Sequence, residues 1–95
     1  MMAPVEEIRR KVRPTLKKFG VVRAALFGSA ARGEATASSD LDFLVELEAG
    51  RTLFDLVGLK QELGDVLGRK ADVITYRSLH PRLRERVLQE QVPLL

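Results

Sequence analysis

The sequence predicts an α/β or α+β domain, a small β-sheet with helices packed against it. Three runs rich in apolar and β-branched residues, VVRAALF, LDFLVEL and KADVITY, have the length and glycine boundaries of strands. The stretches around them repeat apolar residues at helical spacing instead. Helix, strand, short helix, strand, helix, strand and helix follow one another with gaps of a few residues, so residues 1–95 are expected to form one domain.

Taken in order, Val5, Ile8, Val12, Leu16 and Phe19 mark the first helix behind Pro4, and Gly20 supplies its stop. Pro14 lacks an N–H and is expected to kink or split this helix. Val21 to Phe27 is the first strand, closed by Gly28. A small, polar segment follows, with a short helical possibility at Ala30 to Arg32. Leu41 to Leu47 alternates with period two and reads as the second strand. Thr52 is a plausible N-cap for a helix through about Leu67, where Leu53, Leu56, Val57, Lys60, Leu63 and Leu67 follow the helical spacing and Gly68 is the C-cap candidate. Lys70 to Tyr76 is the third strand, Ser78 to Gln91 the last helix, and VPLL a short extended tail.

Charge is unevenly distributed. Met1 to Arg23 holds seven basic and two acidic residues, while Glu34 to Asp65 holds eight acidic and two basic ones. A net charge of +3 is too mild to argue polyanion binding from the total. The chain has no cysteine and one histidine, which excludes disulfides and makes zinc a poor fit. Without a membrane-length apolar run or a signal-like N-terminus, a soluble cytoplasmic protein is expected.

The chemistry concentrates between Gly28 and Asp72. Asp40 and Asp42 stand two apart at the opening of a strand, so their side chains leave one face about 6–7 Å apart. Leu41, Phe43 and Val45 face the other way. Two like charges on one face disfavour the fold, and a divalent cation offers the compensation: Mg²⁺ prefers carboxylate oxygens together with phosphates and water. Asp72, second in the third strand, reaches the same ions if that strand pairs with the second. Gly28 and Ser29 follow the first strand, where small residues and backbone N–H groups can approach phosphates; Arg32 can add charge. The dinucleotide fingerprint, the P-loop and the calcium loop each fail on a required residue.

Gly28-Ser29-Ala30-Ala31-Arg32-Gly33, Ser39-Asp40-Leu41-Asp42-Phe43 and the later Asp72 resemble the nucleotidyltransferase superfamily that includes DNA polymerase β, and most closely the minimal nucleotidyltransferases of bacteria and archaea. The resemblance spans essentially the whole chain. It implies the nucleotidyltransferase fold, a small mixed β-sheet with helices against it, and transfer of a nucleoside monophosphate from an NTP, here ATP, to an acceptor hydroxyl. It implies that Asp40 and Asp42 hold two Mg²⁺ ions, that Asp72 shares the ion nearest the acceptor and helps remove its proton, and that Gly28 and Ser29 bind the β- and γ-phosphates. Arg32 would touch phosphate or brace the loop, and Ser39 would cap the turn presenting Asp40.

Minimal members are commonly encoded beside small helical HEPN proteins and resemble the antitoxins of toxin–antitoxin pairs, adding AMP to a tyrosine of the toxin. The implied partner is therefore an adjacently encoded HEPN toxin, in a homo- or hetero-oligomer, with no membrane involved and direct nucleic-acid contact not expected. The alternative is a non-catalytic module that neutralises its HEPN partner by complex formation. A third, weaker reading uses the basic helices to bind nucleic acid. The N-terminal set Arg9, Arg10, Lys11, Arg13, Lys17 and Lys18 otherwise reads as a solvated face, His80 as a helix-entry residue, and Tyr76 as strand-end packing.

Overall fold

The computed structural model describes residues 5–28, 31–33 and 40–95. Helix α1 (Val5–Lys18) carries Glu6 and Glu7 in its first turn and Lys17 and Lys18 in its last, complementing the helix dipole. It buries Ile8, Val12 and Leu16. Pro14 does not split it: the proline sits on the exposed side, where the Arg10 carbonyl that loses its N–H partner can turn to water. Gly20, at φ 72°, ends the segment.

Strands β1 (Val21–Phe27), β2 (Leu41–Leu47), β3 (Ala71–Thr75) and β4 (Val92–Pro93) form a mixed sheet in the order β3-β2-β1-β4. β1 runs antiparallel to β2 and to β4, whereas β2 and β3 are parallel and need a crossover, which α2 (Leu53–Leu67) provides. Leu26 on β1, Leu41, Phe43 and Val45 on β2, and Ala71 on β3 enter one core with Leu16 of α1 and Leu59 and Leu63 of α2. Asp42 and Glu46, at the alternate positions of β2, leave the opposite face.

Thr52 caps α2 as the sequence suggests: its hydroxyl accepts the Phe54 N–H at 3.2 Å, and Asp55 returns a carboxylate to the Thr52 N–H at 2.8 Å. Gly68 closes the helix at φ 65°. The buried stripe, however, runs through Leu59 and Leu63, flanked by Leu56 and Leu67. Leu53 and Val57 share the helical period and yet stay exposed, because the face that packs is centred on Leu59 and Leu63, and Val57 lies about 200° around the helix from Leu59.

The third strand is shorter than expected. Thr75 accepts the Ser78 N–H at 3.2 Å, which turns Tyr76–Ser78 into a 3₁₀ turn. α3 (Pro81–Glu90) then starts from His80, whose Nδ1 accepts the Arg82 N–H at 3.1 Å. The tail is extended, as expected, and also pairs: Pro93 and Val92 lie opposite Ala25 and Leu26, and Leu94 is fully buried. Proline is tolerated there because β4 is an edge strand.

Phe43 is the largest fully buried side chain. Phe43→Ala is expected to destabilise by about 3–5 kcal/mol, a large fraction of the ~5–15 kcal/mol of a small domain. Urea unfolding should read this as a lower midpoint at unchanged slope.

Candidate active site

The end of β1 and the beginnings of β2 and β3 meet at one end of the sheet. Phe27 is opposite Asp42 across β1 and β2, and Asp42 is opposite Asp72 across β2 and β3. Strand neighbours in register share a face, so the two carboxylates leave the sheet side by side. Asp40, two residues before Asp42, adds the third. The parallel pairing on which Asp72's participation depends is present.

The three groups differ in surroundings. Lys70 Nζ lies 3.8 Å from Asp40, and Lys60 Nζ lies 3.8 Å from Asp72. Among the described residues no cation pairs with Asp42, the central one. Burial, then the charges of Asp72 and Asp40, push its carboxyl above the usual aspartate range. The outer carboxylates lean to their lysines, and as they stand no three acidic or histidine side chains among the described residues converge as a finished cation cage. The donor set nonetheless suits Mg²⁺: hard oxygens, an excess of negative charge, and a central carboxylate whose ionisation a cation would ease.

Gly28 is tied to the same point. Its φ is 72°, and a Cβ there would come within 2.6 Å of Asp42 Oδ2. Glycine suits that left-handed backbone, and any Cβ there would have to push the Asp42 carboxylate aside. The Gly28 carbonyl accepts the Arg32 N–H at 3.2 Å. The Arg32 guanidinium stands 3.8 Å from Glu90 near the end of α3. Ser29 and Ser39 lie outside the described residues.

Two site residues escaped the sequence reading. Lys70 immediately precedes Ala71, the partner of Leu41, so it neighbours Asp40 once the register is known. Lys60 could be found only by knowing that α2 crosses between β2 and β3. Tyr76 proves structural: it is buried, donates its hydroxyl to Gln91 Oε1 at 2.8 Å, and lies under the Arg23 guanidinium.

A family model described as a nucleotidyltransferase domain matches residues 6–94. The chain belongs to this nucleotidyltransferase family. A Methanocaldococcus jannaschii protein provisionally named a protein adenylyltransferase is 53% identical over 96% of this chain and 98% of its own. The protein adenylyltransferase MntA of Thermococcus cleftensis is 37% identical, covering 80% of this chain and 77% of its own. A solved structure, provisionally described as a minimal nucleotidyltransferase, superposes with a TM-score of 0.83 at 46% identity, covering 96% of each chain. A chain in the complex of a tri-AMPylated Shewanella oneidensis HEPN toxin with an MNT antitoxin shares the fold, with a TM-score of 0.73 at 20% identity, covering 97% of this chain and 72% of that one. This nucleotidyltransferase is thus an enzyme of the minimal kind, with a nucleotide as substrate. No helix among its described residues is long and apolar enough to cross a membrane.

The raised Asp42 pKa has a thermodynamic sign. The folded value exceeds the unfolded one, so the ionised group subtracts stability as pH climbs past about 4, the unfolded value, and on through the folded value. Without divalent cations, Asp42→Asn should therefore raise Tm by a few degrees at pH 7, with the gain vanishing below about pH 4. Thermal scans across pH check this. Gly28→Ala places a methyl group against the same carboxylate at a left-handed φ, and should cost about 1–2 kcal/mol for the backbone alone. Thermal and urea unfolding read that loss.

Proposed function

We propose that this nucleotidyltransferase transfers AMP from ATP to a hydroxyl of a partner protein, a tyrosine of an adjacently encoded HEPN toxin, and acts as the antitoxin of the pair. The observation that carries the reading is the register: Asp42 opposite Asp72, Asp40 two residues before, and Gly28 pressed against Asp42. The adenylyltransferase names of the relatives and the AMPylated HEPN toxin in the Shewanella oneidensis complex support adenylyl transfer and the partner.

Asp40, Asp42 and Asp72 would hold two Mg²⁺ ions, which supply activation of the acceptor oxygen and neutralisation of the triphosphate. Gly28, with no side chain, would leave the backbone bare for the β- and γ-phosphates, and Ser29 would join it there. Arg32 would add positive charge there, and Ser39 would serve the entry to Asp40, as the resemblance implies. In the transfer a bond forms between the acceptor oxygen and the α-phosphorus, the bond to the bridging oxygen breaks, and pyrophosphate leaves. The acceptor proton passes to Asp72, at the edge of the carboxylate row.

A second reading keeps the partner and drops the chemistry: the chain neutralises the toxin by binding alone. The pairing of Asp40 and Asp72 with lysines favours it, because the outer carboxylates already have counter-charges. One experiment separates the two. Incubated with the neighbouring gene's product, Mg²⁺ and ATP labelled on the α-phosphate, the wild type should label a partner tyrosine. Asp42→Asn should label it about a hundredfold more slowly or worse, the effect of losing roughly 3 kcal/mol of charge stabilisation. Neutralisation without label would instead support the binding module.

A further inference from the structure

The basic face of α1 is not uniform. Lys11 pairs with Glu7 at 3.3 Å and Lys18 with Glu62 at 2.7 Å. Arg9 is held by Glu6 and by the Pro93 carbonyl. Arg10, Arg13 and Lys17 have no acidic partner among the described residues, and these three line an open cleft of about 430 Å³ together with Arg9, Pro14 and one carboxylate, Glu6, whose charge is taken up by Arg9. Their spacing of three and then four residues puts them on one side of the helix, with rises of about 4.5 and 6 Å between them. They lie away from the core stripe of Ile8, Val12 and Leu16.

We infer that this cleft binds the phosphodiester backbone of a single-stranded nucleic acid, independently of the carboxylate site. A row of unpaired cations at intervals of about one helical turn can follow successive phosphates. Two of the three are arginines, whose planar fork matches phosphate oxygens bidentately. An acidic protein partner fits less well. Protein interfaces rely on buried apolar or aromatic anchors, and the cleft is lined by charged side chains and one proline. No aromatic residue lines it, so contact is with the backbone and carries no base preference.

The test is fluorescence anisotropy of a fluorescein-labelled 15-nucleotide oligouridylate with the full chain in EDTA. Binding at 50 mM salt is expected within the non-specific range of about 10⁻⁴–10⁻⁶ M, with log affinity falling against log salt at a slope of about −2 for three contacts. Arg10→Gln, Arg13→Gln and Lys17→Gln combined should weaken binding about tenfold or more and flatten the slope. The double variant Lys11→Gln and Lys18→Gln removes two cations that already have partners and should leave affinity within about twofold. Oligothymidylate should bind like oligouridylate. All five positions are exposed, and circular dichroism checks that the variants fold. No binding at 50 mM salt overturns the inference. Equal losses in the two variant sets reduce it to diffuse charge attraction and overturn the cleft. An oligoglutamate peptide that binds more tightly than the oligonucleotide overturns it in favour of an acidic protein.

Discussion

Mutual repulsion among Asp40, Asp42 and Asp72 is the constraint to which the rest of the architecture answers. Three carboxylates at one end of a sheet are a poor use of strand positions, tolerated because the other side of the same strands is wholly committed to the core. Leu41, Phe43 and Val45 alternate with the acidic positions and are buried essentially completely, so β2 cannot slip by one residue without exposing that core. The apolar face fixes the register, and the register fixes which carboxylates meet. Lys60 and Lys70 relieve the outer two, leaving the imbalance on Asp42. Stability is thereby low at the point where the proposed triphosphate and its ions would sit.

Much of this was legible in the residues. Strand boundaries around β1 and β2, the Thr52 and Gly68 caps and the facing of Asp40 and Asp42 depend on local periodicity and capping chemistry, which a sequence displays directly. The nucleotidyltransferase assignment also needed only residues within a short span and one distant aspartate. What stayed hidden is non-local. Lys70 beside Asp40 is a consequence of parallel pairing, and Lys60 beside Asp72 of the path α2 takes. Likewise, Leu59 is buried and Val57 is not, because the two lie about 200° apart around α2 and the neighbours decide which apolar face packs, rather than any property of valine or leucine.

Gly28 joins the two halves of the site. As a strand terminator it would need only its positive φ, a role that asparagine can sometimes fill. The approach to Asp42 Oδ2 narrows that freedom, so one residue serves both the end of β1 and the space around the central carboxylate. The basic cleft on α1 follows a different logic. Its arginines and lysine are distinguished from their neighbours only by which cations the fold has already paired, and a linear count of positive charges cannot reveal that.

The two-residue strand β4 has a consequence for the outer edge of the sheet. It covers β1 at Ala25 and Leu26. Were it to fray, a hydrophobic strand would present a bare hydrogen-bonding edge to other chains. Leu94, fully buried beside the pairing, is what keeps so short a seal closed.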